Sequence, residues 1–195
     1  MPIEQAETLR ERRVNDLRAA LAVVPTTGGA LSLEIGCGHG HFLTAYAAAH
    51  RNEHCIAVDL LRERLERAAR KSARAGLTNI TWLKGDAMEV LSAWPESLRI
   101  TRHVFVLFPD PWPKRRHWKH RLMQEPFLTA LAERCAPGTR LCFRTDYGPY
   151  FAAGAAAVQE HPAWVLAPLD HWPFEETTVF QARAEGYQSL VATRQ

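Results

Sequence analysis

The sequence predicts an α/β fold: a single doubly wound, mostly parallel sheet with helices on both faces. Three observations carry this. Strand-like and helix-like segments alternate five times between residues 31 and 159. The strand-like runs are short and almost wholly apolar, as expected of strands buried on both faces. The first of them ends in a turn that holds Gly36, Gly38 and Gly40 and opens the next helix. Such alternation indicates a sheet wound outward from its centre. In such sheets ligands bind outside the carboxyl ends of the strands.

Taken in order, residues 4–22 place Leu9, Val14, Leu17 and Leu21 at near-helical spacing among mixed charges, which predicts a leading amphipathic helix. The stretch 25–29 breaks it. LSLEIG (31–36) is the first strand, and 41–49 its helix. HCIAVDL (54–60) is the second, followed by a polar, Ala-rich helix over 62–75 that Gly76 closes. NITWLKGD (79–86) is the third, with a short helix at 87–93 that stops before Pro95. RHVFVLF (102–108) is the fourth, and a loop rich in Pro and bases follows. Residues 125–135 read as a helix up to Pro137-Gly138, TRLCFRT (139–145) as the fifth strand and 150–159 as its helix. AWVLAP (163–168) and YQSLVATR (187–194) are candidates for two last strands. No repeat or linker interrupts the pattern. One domain is expected over 1–195: a leading helix (1–24), a cofactor-binding core (30–160) and a C-terminal segment of strands and substrate contacts (161–195).

Composition narrows the function classes. Of 195 residues, 47% are apolar and 23% charged, the mix of a soluble globular protein. No apolar run approaches the ~18 residues of a membrane span. The start, MPIEQAETLRERR, lacks the apolar stretch of a signal peptide, so a cytoplasmic protein is expected. Cys37, Cys55, Cys135 and Cys142 form no C-x-x-C pair and read as small buried residues. The nine histidines include no H-E-x-x-H, so no metal is expected. Net charge is only +3, but between Arg102 and Arg121 a single acid, Asp110, stands among Arg102, Lys114, Arg115, Arg116, Lys119 and Arg121. Such a block is either a phosphate-binding surface or a solvated face. Nothing in the sequence selects between monomer and homodimer.

After the first strand comes Glu34-Ile35-Gly36-Cys37-Gly38-His39-Gly40. The glycines permit a tight turn and close approach of a ligand to the backbone. The third glycine of a dinucleotide fingerprint would stand where His41 is, which disfavours a dehydrogenase. Asp59 closes the second strand, where a carboxylate can accept both hydroxyls of a ribose. Asp86 closes the third, where a carboxylate could accept an adenine amino group. Glu34 can fix the charged amino end of an amino acid, directly or through water. Three acids at consecutive strand ends suit a cationic, sugar-bearing ligand and repel a pyrophosphate. S-adenosylmethionine, with an ammonium, a ribose, an adenine and a sulfonium, is such a ligand, and the arrangement resembles class I methyltransferases, a Rossmann-like fold.

The fourth strand runs into FPDPWPKRRHWKHR (108–121). A carboxylate between prolines, an aromatic beside it and a basic run after it are what a nucleic-acid base site needs. The carboxylate can accept from a guanine N1–H and amino group, the aromatic can stack, and the cations can hold phosphates. This segment resembles the F-P-D-P-W-x-K-x-R-H-x-K-x-R signature of bacterial tRNA (guanine-N7)-methyltransferases. The similarity extends to L-E-I-G-x-G-x-G, N-I-x-W-L-K-G-D-A and Thr145-Asp146.

The resemblance implies transfer of a methyl group from S-adenosylmethionine to N7 of a guanine in tRNA, at position 46. It implies that Glu34, Asp59, Asp86 and Asp110 line the cofactor pocket, with Gly36, Gly38 and Gly40 in its loop. Asp110 is also the implied catalytic residue. It implies that Lys114, Arg116, His117 and Asp146 meet the substrate, together with Thr178 and Gln181. These last two stand in Thr178-Val179-Phe180-Gln181, where the family has T-x-F-E; the glutamate is a glutamine here. Gly186 also comes sooner, and the N-terminal extension is shorter, than the resemblance leads one to expect. Two other functions fit the same residues: methylation of another RNA or a small molecule, and a non-catalytic, cofactor-sensing RNA-binding module.

Overall fold

A computed structural model describes residues 3–25, 29–167, 172–178 and 180–195. Pro168 of the expected strand 163–168, residues 26–28 of the expected break, and Val179 lie outside the described residues. The elements are α1 (Ile3–Ala22), β1 (Ala30–Ile35), α2 (His41–Ala49), β2 (Glu53–Asp59), α3 (Arg62–Arg74), β3 (Ile80–Lys84), α4 (Ala87–Ala93) and β4 (His103–Leu107). Then follow α5 (Glu125–Ala132), β5 (Arg140–Thr145), α6 (Gly148–Glu160), β6 (Trp164–Leu166) and β7 (Gln188–Arg194). Short 3-10 turns occupy Arg115–His120 and Gln181–Arg183.

The strands form a seven-stranded sheet in the order β3-β2-β1-β4-β5-β7-β6. β3, β2, β1, β4 and β5 are parallel, and β7 runs antiparallel to β5 and β6. The expected doubly wound sheet is present, and both C-terminal segments are strands. The winding reverses between β1 and β4, where Ile35 lies opposite Val106. In sheets of this kind such a reversal marks the ligand crevice at the carboxyl ends, here between the loops that start at Gly36 and Phe108.

Alternation along each strand divides the core. Leu31, Leu33, Ile56, Val58, Val104, Val106, Leu141 and Phe143 face the cluster that α1, α4, α5 and α6 cover. Cys55, Ala57, Phe105, Leu107 and Cys142 face the other, with Phe42, Leu43 and Tyr46 of α2 and Leu65 of α3. By the same period of two, Glu34, Asp59 and Arg144 point to the α2 side. Glu34, Asp59 and Arg144 therefore share one face of the sheet, near the carboxyl ends of β1, β2 and β5.

Two helix boundaries differ from the sequence expectation by two residues or more. The helix expected over 125–135 stops at Ala132. The chain turns there to pair with residue 100: Ile100 donates to Arg134 O at 3.0 Å, and Ala136 donates to Ile100 O at 2.8 Å. The helix expected from residue 150 begins at Gly148, with Pro149 in its first turn. The missing proline N–H has no intrahelical partner to lose at that position. Among the described residues no helix is long and apolar enough to cross a membrane. All four cysteines are buried, and none is in a disulfide.

Candidate active site

The glycine turn is held from both sides. Gly36 and Cys37 both donate to Val58 O, at 2.8 and 3.0 Å, and Gly38 donates to an Asp59 carboxylate oxygen at 2.8 Å. The other Asp59 oxygen accepts from Leu61 N at 2.9 Å. Asp59 thus braces the loop as well as ending β2, and each oxygen keeps a lone pair for a hydroxyl. Gly36, Gly38 and Gly40 all have positive φ (75°, 55° and 65°). A Cβ on Gly36 or Gly38 would meet nothing within 4 Å, whereas on Gly40 it would come within 2.5 Å of Trp82 Cη2 and 2.7 Å of Ala68 Cβ. The first two glycines leave open space beside the loop. The third is required by the packing of α2 against α3 and β3.

Glu34 is 3% exposed. Its carboxylate accepts the backbone N–H of Leu43, near the start of α2, and its Oε2 has no partner at all. Burial pushes the carboxyl up to about 8; the Leu43 hydrogen bond opposes this and the nearby Asp59 charge adds to it. A buried carboxylate with an idle oxygen beside an open glycine loop suits a ligand cation. Asp86 is exposed at the end of β3 and caps α4 through Met88 N at 2.8 Å. Glu34, Asp59 and Asp86 thus stand at the ends of three adjacent strands.

Across the crevice, Asp110 is exposed between Pro109 and Pro111. Its neighbours Phe108 and Trp112 have φ of 49° and 43°, unusual for residues with large side chains. Phe108 N donates to Arg144 O at 2.7 Å. Arg121 donates through Nε to Pro111 O at 2.9 Å, and its guanidinium lies 4.6 Å from the Trp118 ring and 5.0 Å from that of Tyr150. The Asp110 segment is therefore tied at both ends. Trp112 is half-buried among His117 and His120, at 5.7 and 5.1 Å between ring centres. Arg116 Nε donates to His117 Nε2 at 3.2 Å.

The structure divides the basic block. Lys114, Arg115, Arg116 and Lys119 are exposed on the loop beside Asp110. Arg121 is buried and braces the loop, so it is not a surface cation. Arg102 precedes β4 at the opposite end of the sheet, where its Nε lies 4.0 Å from Glu53. A count along the chain merges cations that the length of β4 separates.

Asp146 is exposed just after β5. Thr178 Oγ1 accepts from Gln181 N at 3.0 Å. Gln181 Oε1 accepts from Arg144 at 3.2 Å, and its Nε2 donates to Tyr187 Oη at 3.1 Å. The sequence reading passed over Arg144 and its partners Trp172, Glu175 and Tyr187. The signal was present: Arg144 is a cation in an apolar strand, directly before Thr145-Asp146.

A family model described as a putative methyltransferase matches residues 29–192. An rRNA methylase from Streptococcus thermophilus has the same fold, with a TM-score of 0.59 over 91% of this chain and 93% of its own, at 13% identity. A tRNA (guanine-N(7)-)-methyltransferase from Rhodococcus jostii is 41% identical over 72% of this chain and 53% of its own length. One from Magnetococcus marinus is 30% identical over 84% of this chain and 77% of its own. The chain spans about half to two thirds of the length of most of the curated relatives it matches. A match that runs from the glycine loop through the Asp110 segment to the last strand settles the lineage: the chain belongs to the tRNA (guanine-N(7)-)-methyltransferase family.

Proposed function

We propose that this chain transfers a methyl group from S-adenosylmethionine to N7 of a guanine in tRNA. The observation that carries the reading is the position of Asp110. It is exposed and braced at the switch point of the sheet, with acid-lined strand ends on one side and exposed cations on the other. Glu34 would hold the amino group of S-adenosylmethionine, Asp59 the ribose and Asp86 the adenine. Gly36 and Gly38 would let it approach the backbone. When bound, it supplies a sulfonium methyl group open to in-line attack.

Guanine N7 carries an in-plane lone pair, so the attack needs no deprotonation. The chain's work is alignment and charge. Asp110 would accept hydrogen bonds from the guanine edge and favour the positive charge that develops on the purine. Lys114, Arg116, His117, Asp146, Thr178 and Gln181 would surround the rest of the nucleotide. Such an enzyme works in the cytoplasm.

The direct test is methyl transfer from labelled S-adenosylmethionine to unmodified tRNA transcripts, with nucleoside analysis of the product. The expected product is 7-methylguanosine. Binding of S-adenosylmethionine with no labelled tRNA would leave a methyltransferase for a different substrate.

The exposed cations predict a second result. Each phosphate neutralised adds about 0.7 (single strands) to about 0.9 (B-form duplex) to the slope of log affinity against log salt. Replacing Arg115, Arg116 and Lys119 by glutamine should lower that slope by about two. Measured binding with an unaltered slope would put the phosphates on another face of the protein.

A further inference from the structure

We infer that Arg144 is a positioning residue that pins the C-terminal arm onto the carboxyl end of β5, and so sets how the arm meets a substrate held against Asp110. The part that concerns substrate rests on the function proposed above; the pinning does not. The arm, residues 172–178 and 180–187, has only one short 3-10 turn, Gln181–Arg183. A segment with so little structure of its own depends on a few anchors.

Arg144 is 3% exposed and reaches three separate parts of that arm and the strand that ends it. Its terminal nitrogens donate to both Glu175 oxygens, at 2.8 and 3.1 Å. One of them also donates to Gln181 Oε1 at 3.2 Å, and Nε donates to Ser189 Oγ at 2.9 Å. The guanidinium lies over the rings of Trp172 and Tyr187, at 4.0 and 4.5 Å from their centres. A planar fork that meets two rings and bonds along its edge is geometry that only arginine supplies. The second anchor is Phe174, against the rings of Phe42, Tyr46 and His50 at 5.7, 5.4 and 5.7 Å.

Arg144 also touches the other side of the site. Its carbonyl receives Phe108 N, and the Tyr187 ring it meets lies 6.0 Å from the Phe108 ring. Phe108 stands two residues before Asp110. One residue thus connects the arm that bears Thr178 and Gln181 to the loop that bears Asp110. Nearly all its N–H groups are committed, which leaves little of it for a phosphate.

The arrangement gives a reason for glutamine at 181. Glu175 already matches the Arg144 charge as a two-point pair. A carboxylate at 181 would set a second acid on the same guanidinium. The neutral amide takes the remaining place and passes a hydrogen bond on to Tyr187.

The test uses Arg144→Met, Arg144→Lys and Glu175→Gln in the full chain. Glu175 is 58% exposed, so loss of its partner leaves that carboxylate in water and not buried and unpaired. Arg183 lies in the arm and is exposed, so trypsin cleavage there reports arm release. Arg144→Met should raise that cleavage rate and the KM for tRNA by about tenfold each, and leave S-adenosylmethionine affinity within about twofold. Lys should fail to rescue, because a point charge cannot fork and stack. Glu175→Gln, which leaves the core untouched, should fall between. Unchanged cleavage and KM in Arg144→Met, or a loss of cofactor affinity that matches the loss of transfer, would overturn the inference. An unaltered chain that leaves tRNA unmethylated would sink the tRNA reading alone, and the cleavage rates would still decide the pinning.

Discussion

Asp110→Ala should lower methyl transfer by about a hundredfold to a thousandfold, while the affinity for S-adenosylmethionine changes far less. The magnitude is that of removing one preorganised group aimed at developing charge. Preorganisation is visible around Asp110. Prolines flank it, Phe108 N is tied to Arg144 O, and Arg121 holds Pro111 O. Two bulky residues at positive φ stand on either side of it. Strained backbone of this kind persists only where its surroundings fix it, and it concentrates at functional sites. Asp110→Asn separates the two roles of the carboxylate. It keeps a hydrogen-bond acceptor of the same size and removes the charge. An asparagine variant as slow as the alanine variant would mean that charge dominates; one near the original rate would mean that orientation dominates. Turnover unimpaired in both would remove Asp110 from the chemistry. Single-turnover rates at saturating tRNA, with cofactor affinity measured separately, distinguish these cases.

The sheet was legible because its signal is local. Short apolar runs such as LSLEI and HVFVL, each followed by a helical segment, give away the parallel order before any contact is known. Strand-end acids were legible for the same reason: Glu34, Asp59 and Asp86 stand beside turns that the sequence marks. What escaped depends on residues remote in sequence. The early end of α5 follows from pairing with Ile100, and the need for Gly40 follows from Trp82. Arg121 counts as a surface cation until Trp118 and Tyr150 are seen to cover it. Arg144 reads as one charge in a strand until the arm folds back over it. Periodicity reports which face a side chain takes, not what later chain will close upon that face.

Glu34→Gln should weaken S-adenosylmethionine binding by about a hundredfold and also abolish its pH dependence. In the free protein burial raises the Glu34 carboxyl from 4.5 to about 8, so at neutral pH it is mostly protonated. An ammonium beside the idle Oε2 favours the ionised form, so binding near pH 7 should expel close to one proton. Affinity then rises with pH towards about 8, by at most about tenfold per unit, and falls again where the ligand's own ammonium loses its proton. The same shift acts on folding with the opposite trend. A carboxyl whose folded value lies above its unfolded one binds its proton more tightly in the folded state. Its contribution to stability is complete below about 4.5 and is lost as pH rises through 8. Bound S-adenosylmethionine should therefore raise the melting temperature more at pH 8 than at pH 6. Calorimetry in two buffers of different ionisation enthalpy measures the proton count. Zero protons released at pH 7, with the affinity loss intact in Glu34→Gln, would mean that Glu34 is already ionised before the ligand arrives. Full affinity in the glutamine variant would remove Glu34 from the pocket altogether, and the buried carboxylate would then owe its place to the N-terminus of α2.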